Sequence, residues 1–172
     1  MVSSPDVLRL NLGCGPRLLN GFINVDLPNN WSGKQPDVVS DIRSLPFGDG
    51  YADEVHAYHV LEHLYRWEAE TTLTEWLRVL KPGGKLILEL PCLDKMLNVF
   101  NVCMSQGTPV PPRLTILGLY GDPTYKNEAM CHRWVWSKSE LKSVLRSLGL
   151  RPRIMEPVTH IPERDMRCEA IK

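Results

Sequence analysis

The reading turns on Leu10-Asn-Leu-Gly-Cys-Gly15, followed closely by Phe22-Ile-Asn-Val-Asp-Leu27. The first stretch is a short apolar run that breaks into Gly-x-Gly. Glycines directly after a buried strand let backbone N–H groups approach a ligand with no Cβ in the way. The second stretch brings an acid, Asp26, to the end of the next strand, where its carboxylate can accept hydrogen bonds from both hydroxyls of a ribose. A third run, 37–41, ends in Asp41-Ile42. A carboxylate there could accept from an adenine amino group while the Ile42 N–H reaches a ring nitrogen. Three strand ends in order, each with fitting chemistry, point to a nucleotide site at the carboxyl edge of a parallel sheet. A dinucleotide is disfavoured, because that site wants Gly-x-Gly-x-x-Gly and an acid about 20 residues on. Here the third glycine position is Leu18, and Asp26 follows Gly13 by 13 residues.

Outward from this stretch, short apolar runs alternate with helical patterns, which predicts an α/β fold with a largely parallel sheet. The strands are expected at 7–12, 22–26, 37–41, 54–59 and 85–91, with two more near 151–158 and 165–171. Helices are expected at 68–80, where Leu73, Trp76, Leu77 and Leu80 share a face, and at 94–103, where Met96, Leu97 and Phe100 come together. A third runs over 137–148, opened by Ser137-Lys-Ser-Glu140 as a capping box and closed by Gly149. Lys81-Pro-Gly-Gly84 is a strong stop after the first helix. The links between the first two strands, and between the third and fourth, are too short for full helical crossovers, which need roughly a dozen residues. The stretch 107–133 has no clear periodicity, and a loop that long inside a compact domain is usually functional.

Composition bounds the rest. The chain has 172 residues, 43% hydrophobic and 23% charged, which suits one globular domain over 1–172. Twenty basic and twenty acidic residues leave no net charge, so the chain-wide electrostatic footprint of a nucleic-acid or anionic-membrane binder is absent. No apolar run reaches membrane-spanning length, and the opening Met1-Val-Ser-Ser-Pro-Asp6 has no leader pattern. Five cysteines without a Cys-x-x-Cys pair read as free thiols in a reducing cytoplasm.

Taken together, these motifs resemble class I S-adenosylmethionine (SAM)-dependent methyltransferases, of the type 11-like kind. The resemblance rests on Leu10–Gly15, Asp41-Ile42, Leu45-Pro-Phe47 with Asp49, Ala52-Asp-Glu-Val55, Tyr58-His-Val-Leu-Glu-His63, the Trp76–Leu88 helix, turn and strand, and Ser137–Leu150. It implies a Rossmann-like three-layer sandwich with a seven-stranded, mostly parallel sheet whose last strand is antiparallel. It also implies SAM as cofactor and S-adenosylhomocysteine (SAH) as product. Carried over residue by residue, Gly13, Cys14 and Gly15 would border the amino-acid half of the cofactor. Asp26 would bind ribose with Leu27 beside it, Asp41 and Ile42 would bracket adenine, and the segment beginning at His59 would offer a carbonyl to the ammonium. The chain departs from the family in having only Pro16-Arg-Leu-Leu-Asn-Gly21 where a first crossover helix is usual. It looks like a compact variant, similar to small methyltransferases of sugar or polysaccharide modification.

Methyl transfer from a sulfonium is an in-line displacement, and a base is needed only for a hydroxyl or a protonated amine. His132, in Met130-Cys-His-Arg-Trp-Val-Trp136, is the first choice for an acceptor-side role. That stretch is expected to reach over the carboxyl edge of the sheet. Glu62 and His63 read as a brace for the loop after the fourth strand, and Trp134 and Trp136 as core or lid. The acceptor is expected to be a small molecule or glycan offering oxygen or nitrogen, with no resident metal. Two other readings compete. One is an inactive SAM-binding or protein-interaction module. The other is a zinc hydrolase, because His59-Val-Leu-Glu-His63 matches H-x-x-E-H.

Overall fold

The computed structural model describes residues 7–28 and 33–172. The segment 1–6, read above as lacking a leader, lies outside the described residues. Seven strands form one sheet: β1 (Arg9–Leu12), β2 (Ile23–Asp26), β3 (Val38–Val39), β4 (Ala52–Tyr58), β5 (Leu80–Pro91), β6 (Arg151–Met155) and β7 (Asp165–Ile171). Their order is β3-β2-β1-β4-β5-β7-β6. The first five are mutually parallel, while β7 runs antiparallel to both β5 and β6. The order reverses direction at β1 and β4, and a crevice opens at that switch point beyond their carboxyl ends.

Apolar residues on both faces explain why the central strands read as near-continuous hydrophobic runs. Leu10, Leu12, Val55, Leu86, Leu88 and Leu90 are all buried. Helix α1 (Arg66–Val79) packs Leu73, Trp76 and Leu77 into that core, and helix α4 (Lys138–Ser147) adds Leu141, Val144 and Leu145. Each such side chain contributes about 1.5–3 kcal/mol by leaving water. The Ser137 hydroxyl accepts from the Glu140 N–H, but the Glu140 carboxylate turns to Arg66 and Trp134 instead of closing the capping box. Gly149 ends the helix at φ 83°, as its sequence position implies.

Three expectations need correction. The sheet's longest strand starts at Leu80, not at 85: Leu80 pairs with Ala52 and Lys85 with Glu54, so the Pro-Gly-Gly turn is a bulge inside β5. Helix α2 (Leu93–Gln106) buries only Met96; Leu97 is half exposed at 51%, so the expected apolar cluster does not form a core face. The stretch 107–133 is not structureless. It folds as helix α3 (Ile116–Tyr120) and three single 3-10 turns, and its proline- and glycine-rich composition hid elements too short to show periodicity.

No helix crosses from β1 to β2, as the spacing implies. A polar relay inside the sheet holds that link. The Asn11 amide donates to the Arg17 carbonyl at 2.8 Å and to Asn24 Oδ1 at 2.9 Å. Asn24 Oδ1 also accepts from the Leu19 N–H, and its amide donates to Asp37 at 2.7 Å and to the Leu19 carbonyl. Asp37 accepts in turn from the Asn24 N–H. Buried amides so satisfied fix a unique loop path where no helix does.

Candidate active site

A cleft of about 1610 Å³ lies at the switch point. Its lining includes Gly13, Cys14, Gly15, Asp26, Leu27, Asp41, Ile42, His59 and His132, so the residues assigned to cofactor and acceptor from the sequence line one cleft, while Glu62 lies buried behind it.

The floor begins at the glycine loop. Gly13 and Gly15 sit at φ 60° and 48°, conformations that other residues rarely adopt. A Cβ on Gly13 would stand 2.8 Å from Val60 Cγ2, so both the backbone and the space demand glycine. Between them, Cys14 is buried, and burial, with Asp26 adding to it, pushes its thiol up to about 11. It is a packing residue and not a nucleophile. Asp26 Oδ2 accepts from the Gly15 N–H at 2.7 Å, and Oδ1 accepts from the Leu27 N–H at 2.7 Å. Oδ1 keeps a lone pair for a further donor, while Oδ2 also faces the Cys14 thiol at 3.9 Å, a weak contact that a better donor can displace. Leu27 lies exposed beside it. Asp41 is held by Arg43, whose hydrogen bonds keep its carboxyl below the usual range. The Ile42 carbonyl accepts from the Trp76 indole at 2.9 Å, which ties the turn after β3 to the core of α1.

His59 closes β4 in a left-handed conformation, φ 54°, with its N–H donating to the Glu89 carbonyl. For a non-glycine residue this is uncommon, and it is a conformation that clusters at ligand-binding turns. Its ring lies 3.0 Å from Glu62 Oε1 and 3.4 Å from Asp165 Oδ2. Burial opposes its charge, but these two carboxylates outweigh burial and lift it to about 9.

The roof comes from the stretch 107–133. Arg113, Leu117, Tyr125, Met130 and His132 line the cleft from above. The roof is pinned to the sheet edge by the N–H groups of Arg133 and Trp134, which donate to the Glu62 carbonyl, and by the Arg133 guanidinium, which donates to the His63 carbonyl. His132 is thereby brought beside His63, ring centroids 4.9 Å apart and nearly perpendicular. Trp136 is fully buried core, while Trp134 reaches Glu140 at the surface; neither lines the cleft.

A family model described as "Methyltransferase domain" matches residues 22–88. Over that part, the chain is similar to SAM-dependent methyltransferase domains. Solved structures agree on the fold. A SAM-dependent methyltransferase from Archaeoglobus fulgidus is 18% identical, with 98% of this chain and 87% of that one covered at a TM-score of 0.62. Another from Methanosarcina mazei is 18% identical, with coverage of 99% and 94% and a TM-score of 0.62. One from Mesorhizobium loti is 12% identical, with coverage of 98% and 94% and a TM-score of 0.62. No curated protein sequence matches the chain.

SAM is the cofactor expected of a methyltransferase domain, and the residues present fit it. The glycine loop leaves a cradle that a Cβ would fill, and Asp26 keeps a free lone pair on Oδ1 at the second strand end. Sequence reasoning missed the groups that hold this cradle, namely Asn11, Asn24 and Asp37. An asparagine in the middle of an otherwise apolar strand was the available signal, since a buried amide must find partners. The zinc-hydrolase reading of His59-x-x-Glu62-His63 does not survive the geometry. His59 ends a strand and faces Glu62 and Asp165, while His63 sits on a 3-10 turn, Leu61–His63, so the two histidines share no helix face.

Proposed function

We propose that this protein is an active methyltransferase that moves a methyl group from SAM to an oxygen or nitrogen of a small-molecule or glycan acceptor, releasing SAH. We take it as one domain over 1–172 working in the cytoplasm, which suits its five free thiols. The observation that carries the reading is the convergence of Gly13, Gly15, Asp26, Asp41, Ile42 and His59 on one cleft that also holds His132.

When bound, SAM supplies an activated methyl on a sulfonium. The chain's own residues bind and orient. The Gly13–Gly15 backbone lies against the amino-acid half. Asp26 accepts from the ribose hydroxyls through the lone pairs that Gly15 and Leu27 leave free, with Leu27 packed against the sugar. Asp41 and Ile42 flank adenine, and the turned-out carbonyl of His59 accepts from the ammonium. The missing first helix takes away its N-terminal dipole, and the N–H groups around Cys14–Arg17 stand in for it toward the carboxylate. On the acceptor side His132 takes up the proton that an acceptor hydroxyl loses. A cleft of this size holds both a nucleoside and an acceptor, and the neutral overall charge favours a small molecule or glycan over nucleic acid.

The test is calorimetric titration with SAM and SAH, followed by SAH-release assays across hydroxyl and amine acceptors. Micromolar binding and turnover on at least one acceptor are expected. A folded protein that binds neither compound refutes the reading; binding without turnover on any acceptor would favour the inactive module.

A further inference from the structure

We propose that Glu62, His63 and His132 form a binding site for a divalent transition metal of the zinc class on the acceptor side of the cleft. One carboxylate oxygen of Glu62 and one ring nitrogen from each histidine lie within 4.8 Å of one another. Ligand atoms around tetrahedral zinc stand about 3.4 Å apart, as bond lengths near 2.1 Å require, so modest side-chain rotation closes the set. Two imidazoles and one carboxylate are also the donor set of a catalytic zinc with an open fourth position.

Two independent features point the same way. The first is Glu62 itself. It is only 1% exposed, and neither of its carboxylate oxygens accepts a hydrogen bond from any described residue. The His59 ring is 3.0 Å from Oε1, but off the line that a hydrogen bond needs, and Oε2 has nothing. His59 meets Oε1 as an ion-pair neighbour, but Oε2 has no partner, and a buried carboxylate oxygen left so is costly unless a further donor or cation meets it. The second feature is the orientation of both histidines. His63 Nδ1 faces the Cys131 carbonyl at 3.2 Å, and His132 Nδ1 faces the Gly118 carbonyl at 2.8 Å. A carbonyl can only accept, so each Nδ1 carries the proton and each Nε2 keeps its lone pair. Backbone carbonyls that fix the tautomer in this way are the usual outer support of metal-ligating histidines. A brace without a metal would leave both lone pairs and the Glu62 Oε2 idle.

The cluster spans the joint between floor and roof. Glu62 and His63 follow β4, whereas His132 comes from the stretch pinned to them through the Glu62 carbonyl. A bound cation would therefore lock the roof and, because it would take up the His132 Nε2 lone pair, would replace the base role of His132 by making an acceptor hydroxyl at its open position more acidic. That role rests on the methyltransferase reading; the site does not.

Metal-free protein should be titrated with Co²⁺, followed by visible absorption, and with Zn²⁺ by calorimetry. SAH titration runs in parallel. One equivalent of metal, with the visible bands of a low-symmetry His/carboxylate site, is expected, and Zn²⁺ should raise the melting temperature. His132→Ala and Glu62→Gln should each weaken Co²⁺ binding at least tenfold and abolish the thermal shift. Asp26→Ala should lose SAH binding yet keep the metal, which separates failure of the site from failure of the cofactor reading. Intact, folded protein that binds neither metal overturns the proposal, and so do His132→Ala and Glu62→Gln variants that bind Co²⁺ as tightly as the intact protein.

Discussion

Replacing Asn24 with leucine, a side chain of similar length, tests whether the polar relay does the work of the missing crossover helix. Asn24 is 5% exposed. The change strips one partner from the Asn11 amide, one from the Leu19 N–H and one from Asp37. Asp37 is exposed and water can replace its loss, but Asn11 is 2% exposed and cannot be rehydrated. A buried donor left unsatisfied costs about 1–3 kcal/mol, and a half-buried one nearer 1 kcal/mol. The sum is about 2–4 kcal/mol, a fall in melting temperature of roughly 4–16 °C for a domain of this size. Because the same bonds hold the 16–22 link behind the glycine loop, SAH affinity should drop at least tenfold at a temperature where the variant is folded. Urea unfolding and calorimetric titration on one preparation give both numbers. A melting temperature within about 2 °C of the parent would refute the energetic argument. A large loss of stability with unchanged SAH affinity would show that the relay supports the sheet but not the cofactor floor.

Asp26→Ala should weaken SAH binding by about ten- to a hundredfold, the value of one charge-assisted hydrogen bond, as read by calorimetry. Gly13→Ala should be worse for the fold as well as the site, since a left-handed conformation and a 2.8 Å contact with Val60 both oppose it; a thermal melt and an SAH titration check this. Trp76→Phe keeps most of the core volume but removes the bond to the Ile42 carbonyl, so about 1–2 kcal/mol of stability should go, measured by urea unfolding. Glu89 tests pH dependence. Burial alone would raise its carboxyl, but bonds from His160, Thr159, Val158 and Arg167 overcome burial and hold it far below the usual range. Its folded value is therefore depressed, so its contribution is present above about pH 4.5 and is lost as pH falls below that toward the folded value. Glu89→Gln should be less stable than the parent near pH 6, and the gap should narrow by pH 3; a gap constant across that range would refute the assignment.

Sequence carried the site further than it carried the fold's details. Gly-x-Gly, Asp26 and Asp41 were readable because each sits at a strand end, and strand ends converge at a switch point whatever joins them. The central parallel strands were readable because, covered on both faces, they bury apolar residues such as Leu10, Leu12, Val55, Leu86 and Leu88. What stayed hidden depends on long-range partners. Lys81–Gly84 looks like a turn, and it became a bulge in β5 only because Leu80 pairs with Ala52. Leu97 looks like core by its spacing, yet nothing packs over it there. The roof could not be read, because its elements are single turns held by bonds to Glu62 and His63 some 70 residues away.

The two walls of the cleft are drawn from different parts of the chain, with one side in Gly13–Arg17, Asp26, Leu27 and Asp41–Arg43 and the opposite side largely in residues 113–133. They meet through a handful of main-chain bonds at Glu62 and His63. On the proposed reading, substrate preference and donor recognition can thus drift separately. A transplanted 107–133 segment that keeps the Arg133 and Trp134 attachments offers a route to new acceptors on an unaltered donor platform.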